Sequence, residues 1–411
     1  MTTRKPRRDT LVVVLGGGQG ERLYPLTRDR AKPAVPFGGI YRIIDFTLSN
    51  CLNSDLRRIC ILTQYRSMSL ERHLRVSWGF LREDLGESLY TVPPQQRAGQ
   101  RWYSGTADAI YQNIYTLQIE RPQRVLILGG DHIYKMDYGS MIDFHAARKA
   151  EITVACVPVP IEEGKRFGVM QVDEHNRVTG FEEKPAHPKP MPNDPSRCLA
   201  SMGIYVFNTR TLVHAVSEDA KANTDHDFGK NIIPSNISKL PVYAFPFAAA
   251  DGRKDYWRDI GTLDAYWQSS MDLLGATPAF DLSDAAWPIR AEHGQRPPAR
   301  VLAGAAVEDS ILSAGVVVDR ARVIRSIIGP GVTIGPDACV QDSVIFDDVH
   351  IGASVRINRA IIDKRNVIPA GISIGHEPER DAKRFDVTPG HVCVVPKDMP
   401  RDDAFWKGES R

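Results

Sequence analysis

No apolar run in the 411-residue chain approaches the roughly 18 residues a bilayer-spanning helix needs. The stretch Leu11 to Leu15 is far shorter. The basic start leads straight into a strand and a glycine-rich turn, without the apolar core and cleavage site of a signal peptide. A cytoplasmic protein with no membrane partner is expected. The six cysteines (Cys51, Cys60, Cys156, Cys198, Cys339, Cys393) form no CxxC pair. That excludes a thiolate metal site and a disulfide framework, and leaves them as small buried hydrophobes. Charge of one sign is also missing: 52 basic and 50 acidic residues leave a net +2. This removes any general case for nucleic-acid binding. The one basic run, Arg4 to Arg8, reads as a flexible solvated tail over residues 1–10. The glycine-rich turn has neither a Walker A ending nor a clean GxGxxG, so the usual P-loop and dinucleotide readings lapse.

What is present is a chain of ordinary globular composition, 42% apolar and 25% charged. From 11 to 275 it alternates short β-rich runs with helical patterns. Strands are expected at Leu11–Leu15, Ile59–Thr63, Arg124–Leu128, Ile152–Val159, Met202–Phe207 and Val242–Phe247. Helices are expected at Ser67–Val76, Ala107–Glu120, Met141–Ala150 and Asp264–Leu274. A hairpin is expected around His175–Asn176. Such alternation predicts an α/β domain, a Rossmann-like mixed or largely parallel sheet with helices on both faces. A proline-marked linker follows over 276–300.

Beyond residue 300 the apolar pattern becomes periodic. Ile311, Val317 and Val323 recur as Ile328, Ile334 and Val340, then Ile345, Ile351 and Ile357, then Ile362, Ile368 and Ile374. Seventeen residues separate equivalent positions, in steps of six, six and five. That period fits no α-helix. It fits a triangular parallel β-helix over 301–411, each side giving one inward aliphatic residue. Gly329, Gly335, Gly352 and Gly375 follow inward positions, where tight corners would want them.

Four constellations carry chemistry. Gly16, Gly17, Gly18 and Gly20 follow a strand and present backbone N–H groups to phosphate oxygens, with Arg22 and Lys32 close behind. Asp131 ends a central strand after Gly129-Gly130, where open α/β sheets bind ligands, and is a candidate magnesium ligand. His132 is assigned a structural role. Glu183-Lys184, closing the hairpin, offers a carboxylate for sugar hydroxyls and an ammonium for a sugar phosphate; by itself such a charge run is more often a solvated edge. Asp255 to Thr262 contains Trp257 and a second carboxylate, Asp259; a lone Trp is more often core. Each signal is modest alone.

Together they resemble one family. GGGQGERLYPLT and AKPAVPFGG are similar to nucleotidyltransferases that join a nucleoside triphosphate to a sugar 1-phosphate. FGGIYRIIDFTLSN, WYSGTADAIYQN, ILGGDHIYKMDY, FEEKP, LASMGIYVF, HDFGKNIIP and YWRDIGTLDAYW more closely resemble the bacterial ADP-glucose pyrophosphorylase family, over nearly the whole catalytic part. The resemblance implies adenylyl transfer from ATP to α-glucose 1-phosphate with Mg2+, the committed step of glycogen synthesis, and a left-handed hand for the β-helix. It implies Asp131 and Asp259 as metal ligands, and Arg22 and Lys32 as catalytic cations. Leu15, Gly17, Gly18, Gln96, Tyr103, Gly105 and Thr106 would lie by ATP. Tyr103, Gly168, Glu183, Lys184, Ser201, Tyr205, Asp227 and Trp257 would line the glucose 1-phosphate site.

It further implies an allosteric homotetramer, activated by phosphorylated metabolites and inhibited by AMP, ADP or phosphate, with Arg28, Arg30 and Arg42 at the effector pocket. Asp29 stands where the enteric pattern has a lysine, which disfavours a sugar bisphosphate there. Three rivals remain at this level: a sister pyrophosphorylase with another base or hexose, an acyltransferase using the β-helix, and a non-catalytic regulatory subunit. For the acyltransferase His350 is the one candidate base, and it reads as a surface corner.

Overall fold

The computed structural model describes residues 7–18, 20–95, 102–191, 194–247, 256–291, 294–400 and 402–407. Among them, nine strands form one mixed sheet. Thr10–Leu15 lies at its centre, parallel to Arg58–Leu62 on one side and to Arg124–Gly129 on the other. Ser88–Val92 extends the parallel part. The sheet then reverses: Arg197–Asn208 runs antiparallel to Arg124–Gly129, Ile152–Pro160 and Gly168–Val172. The expectation of a largely parallel sheet is thus corrected beyond Arg124–Gly129. The cause is the long strand Arg197–Asn208, of which only the apolar second half was legible.

Apolar side chains fill both faces of the sheet. Val12, Val14, Leu126 and Leu128 point to one core, and Leu11, Val13, Val125 and Ile127 to the other. This is the alternation expected of central strands buried on both sides. The helix Ile43–Asn53 escaped the sequence reading because its first nine residues are all buried, so it shows no amphipathic stripe. The expected helix Ala107–Glu120 is two helices, Thr106–Tyr111 and Ile114–Glu120. At the break the Asn113 side chain donates to the Ala109 carbonyl at 2.8 Å and to the Tyr103 hydroxyl at 2.9 Å, a local competition with helical bonding.

The turns of the tail pair in parallel as three sheets that the chain visits in rotation, and Asp386–Val387 adds one antiparallel strand to the third. Val323, Ile328, Ile334, Val340, Ile345, Ile351, Ile357, Ile362, Ile368 and Ile374 form one buried column. From Val323 onward equivalent positions are 17 residues apart, as in Val323↔Val340 and Ile328↔Ile345. The first turn differs from expectation. Leu312, not Ile311, pairs with Ile328, and Val318, not Val317, pairs with Ile334. The side between Val318 and Val323 is one residue short, and both register choices are apolar, so the sequence pattern could not separate them. Ile311 packs instead toward the catalytic part, with Ile327, Val344 and Ile361, against Phe37, Phe46, Tyr266 and Trp267. The doubled aliphatics of that sheet therefore have separate jobs, one inward and one at the interface. Of the four corner glycines, only Gly375 has a positive φ. Gly352 is needed for closeness instead: a Cβ there would lie 2.7 Å from the Ala370 nitrogen of the next turn.

The column sets a stability test. Ile345 is 1% exposed, and Ile345→Ala should cost about 2–5 kcal/mol. Arg356→Ala, on the outer surface, should change stability by less than about 0.5 kcal/mol. Urea unfolding of the two variants checks the contrast, and equal losses would contradict the inward assignment.

Candidate active site

Leu15 and Gly129 are paired neighbours at the carboxyl ends of adjacent parallel strands. The glycine-rich turn and the Gly130-Asp131 turn therefore leave the sheet side by side, at the edge where open α/β sheets bind ligands. The second carboxylate arrives by pairing. Trp257–Asp259 runs antiparallel to His132–Tyr134, with Asp259 opposite His132. Two carboxylates more than a hundred positions apart thus share one cluster.

Lys32 joins them. Its Nζ lies 2.7 Å from Asp131 Oδ2 and 3.4 Å from Asp259 Oδ1. Burial works against a charge on Asp131, yet the ammonium of Lys32 and the adjacent His132 outweigh it and hold the carboxyl well below the usual range. Burial likewise disfavours charged Lys32, but the two carboxylates raise it above the ordinary lysine value. Asp131 and Lys32 are therefore both charged at neutral pH. His132 approaches from another side, with Nε2 3.5 Å from Asp131 Oδ1 and 3.9 Å from Asp259 Oδ1. Its ring meets Trp257 edge-on at 5.3 Å. Sequence reasoning missed this placement, and its one available signal was adjacency to Asp131. Asp131, His132 and Asp259 offer ligand atoms within 4.8 Å of one another. Two hard carboxylates so disposed fit a divalent cation. Arg22 is exposed beside them: a Cβ on Gly261 would lie 3.7 Å from its guanidinium carbon and 3.3 Å from Asp259 Oδ2.

A cleft of about 540 Å³ lies elsewhere, between the catalytic part and the tail; the cleft at the sheet edge is about 460 Å³. The latter is lined by Leu15, Gly17, Gly18, Tyr103, Gly105 and Thr106, six of the seven residues expected near a nucleotide. The seventh, Gln96, lies outside the described residues, as does Asp255. Gln64, Tyr65 and Lys230 also line it and were not anticipated. Gly105 is required by closeness: a Cβ would lie 2.2 Å from the Asp225 carbonyl oxygen.

Gly168, Lys184, Tyr205 and Asp227, four of the expected sugar residues, gather around Glu183. Gly168 is its strand partner. A Cβ on Gly168 or on Gly229 would come 2.7 Å from Glu183 Oε2, so the two glycines make room for that carboxylate. Asp227 accepts hydrogen bonds from the N–H groups of Gly229 and Lys230 at 2.8 and 3.1 Å. It also accepts from the Thr106 hydroxyl at 3.0 Å, which ties this region to the cleft. Tyr205 stacks on Phe228 with centroids 5.3 Å apart. Burial first, then the charge of Asp227, pushes its phenol up, so it stays a neutral donor. Ser201 and Tyr205 flank a register shift in their strand, the bulged geometry that re-aims side chains beside sites. Lys184 is 61% exposed, its Nζ 3.4 Å from Glu183 Oε1. Trp257 is buried with its indole N–H lacking an acceptor among the described residues.

Of the three expected effector arginines, Arg30 and Arg42 line the cleft between catalytic part and tail, while Arg28 donates to the Lys397 carbonyl at 2.8 Å. His350 is exposed on the tail, hydrogen-bonded to Thr333 at 2.8 Å, the surface position expected of it. No described helix is long and apolar enough to cross a membrane.

Residues 11–275 match the nucleotidyl transferase family, and 297–395 match the GlmU-like C-terminal hexapeptide family. The chain is 51% identical over 400 residues to a glucose-1-phosphate adenylyltransferase of Rhodopirellula baltica, covering 94% of this chain and 90% of that one. It is 50% identical over 412 residues to the Thiobacillus denitrificans enzyme of that name, covering 98% and 94%. With glucose-1-phosphate adenylyltransferase 2 of Vibrio cholerae it shares 48% over 398 residues, covering 95% and 98%. Sheet, clustered carboxylates and end-to-end likeness agree, and the chain belongs to the nucleotidyl transferase family, among its glucose-1-phosphate adenylyltransferases.

Proposed function

We infer that this chain transfers the adenylyl group of ATP to α-glucose 1-phosphate, giving ADP-glucose and pyrophosphate. The observation that carries this reading is the meeting of Asp131, Asp259 and Lys32 at the strand ends, beside the glycine-rich turn. A phosphate oxygen of glucose 1-phosphate attacks the α-phosphorus in line, the bond to the β,γ-unit breaks, and pyrophosphate leaves with the electron pair. No enzyme nucleophile is needed; positioning and charge stabilisation supply the catalysis.

Asp131 and Asp259 would hold magnesium, which when bound supplies positive charge to the reacting phosphates. Arg22 and Lys32 face the triphosphate, with the backbone of Gly17 and Gly18 cradling it. Leu15, Tyr103, Gly105 and Thr106 hold the nucleoside. Lys184 takes the sugar phosphate, while Glu183, Ser201, Tyr205, Asp227 and Trp257 take the sugar, with Gly168 making room. Pyrophosphate release in the presence of ATP, glucose 1-phosphate and magnesium tests the reading. Absence of release with ATP, but release with another nucleotide, would transfer it to a sister enzyme. The intact charged cluster speaks against a silent regulatory subunit. We read the three tail sheets as the sides of a closed left-handed β-helix, supported by the hexapeptide-family match, and the whole as a cytoplasmic homotetramer.

The effector pocket is the roughly 540 Å³ cleft between catalytic part and tail, lined by Arg30, Arg42, Lys364 and Lys397. The Nη1 atoms of Arg30 and Arg42 are buried without an acceptor among the described residues, which suits an anion. Asp29 pairs with Arg28 at 3.3 Å and with Lys397 at 3.5 Å, so part of the charge is already met. Activation by a phosphorylated metabolite is expected, weaker for fructose 1,6-bisphosphate than for a monophosphate. Initial rates with fructose 6-phosphate, glucose 6-phosphate, pyruvate and the bisphosphate check this, and equal rates with and without all four would sink the pocket.

The activator should also weaken at high pH. Burial first, then Arg42, brings Lys364 down to about 8. An anion favours its protonated form, so binding is strongest below that value and declines as pH rises through it. The half-activating concentration should rise between pH 7 and pH 9. A constant value would remove Lys364 from the pocket.

A further inference from the structure

The tail makes two polar contacts that end next to the carboxylate cluster. The first is Arg30, whose Nη2 lies 2.9 and 3.0 Å from the two oxygens of Asp363. Both side chains are almost fully buried, at 4% and 2% exposure. Asp363 is fixed in turn: it accepts from the Lys364 N–H at 2.7 Å, and its own N–H donates to the Val395 carbonyl at 3.0 Å. Arg30 stands two positions before Lys32, the cation that bridges Asp131 and Asp259.

The second contact reaches the cluster from the other carboxylate. Thr262 caps the helix Leu263–Met271, which starts four residues after Asp259. Asp264, in its first turn, accepts from the Thr388 hydroxyl and, at 3.4 Å, from the Gly390 N–H of the tail. The same helix is gripped again at Trp267. Its indole donates to the Asp342 carbonyl at 2.8 Å, and the Arg359 guanidinium sits 4.0 Å from its ring centroid. Arg359 also donates to the Gly390 carbonyl at 2.8 Å. One loop of the tail thus holds the helix by two routes.

We propose that Asp363 and Thr388 of the tail are positioning residues for adenylyl transfer: they fix, through Arg30 and Asp264, the segments that carry Lys32 and Asp259. The tail is then part of the catalytic apparatus with no effector bound. The physical ground is that a short rigid segment transmits the placement of its anchor, and a misplacement on the order of 1 Å at a reacting centre costs up to about a hundredfold in rate. The sugar residues Glu183, Ser201 and Tyr205 lie on other strands and are not held by either contact. The proposal rests on the adenylyl-transfer reading above.

The test uses the full-length enzyme without effector. Thr388→Val removes one hydroxyl, and Asp363→Asn removes the acceptor charge. Each should lower kcat, by about tenfold for Asp363→Asn, with KM for glucose 1-phosphate unchanged. Asp363→Glu should restore part of the loss. Asp363→Asn also leaves the buried Arg30 without a charged partner, so melting temperature will fall. Ile351→Ala is the control: it weakens the tail column and touches neither contact. At a matched fall in melting temperature it should leave kcat at the wild-type value. Wild-type kcat in Thr388→Val and Asp363→Asn would overturn the proposal, as would an equal kcat loss in Ile351→Ala. Inactivity of the unmodified enzyme with ATP and glucose 1-phosphate would strike the adenylyl-transfer reading instead.

Discussion

Asp131→Asn should lower turnover on the order of 10²-fold or more, with the fold intact. The substitution keeps the shape of the side chain and removes its charge. That charge is what Lys32 Nζ contacts at 2.7 Å and what a cation would need beside Asp259. Its loss leaves Lys32 with the longer contact to Asp259, at 3.4 Å. The KM for glucose 1-phosphate should change little, because Glu183, Tyr205 and Asp227 form a separate group around Gly229. Asp131 is held ionised across the physiological range, so wild-type activity should show no acid limb from this group near neutral pH. Pyrophosphate release across a magnesium series measures the effect. Near-normal turnover in the variant would remove Asp131 from the metal site, and a parallel collapse of melting temperature would make its role structural.

The legible and illegible parts of the molecule divide on physical grounds. Period is legible: the 17-residue recurrence from Val323 to Ile374 returned as strand pairing with the same spacing. It failed one turn earlier because adjacent apolar residues hid a missing position at Val318–Val323. Strands with apolar interiors were legible, and so was the hairpin of Gly168–Val172 with Val178–Glu183. The buried helix Ile43–Asn53 was not, since burial on every side erases periodicity. At the site, glycine and carboxylate motifs marked the positions, but only pairing shows why they meet. Asp259 reaches Asp131 because its strand lies opposite His132–Tyr134, a contact no local pattern encodes. The same pairing placed His132 in the cluster. The tail's reach to Arg30 and Asp264 was equally invisible, because it joins residues over a hundred positions apart.

Arg22→Gln should be the second large loss, about 10²- to 10³-fold in kcat, and it differs in kind from the first. Arg22 is exposed and makes no ion pair among the described residues, although it stands beside Gly261 and Asp259. A guanidinium so placed beside Asp259, the carboxylate we propose for the metal, is suited to receiving phosphate oxygens through its fork of N–H donors. Charge on the departing pyrophosphate grows toward the transition state, so the lost interaction should appear in kcat more than in KM for ATP. Arg22→Lys keeps the charge but loses the two-pronged contact, and should fall between wild type and Arg22→Gln. Neither change removes a buried contact, so thermal stability should move by less than about 0.5 kcal/mol. Steady-state kinetics with varied ATP, together with a melting curve, separate these expectations. If kcat stays within about twofold of wild type in Arg22→Gln while KM for ATP rises, the arginine binds ground-state nucleotide and contributes nothing special to the transition state. If kcat falls only as stability falls, its place beside Gly261 supports the loop rather than the chemistry.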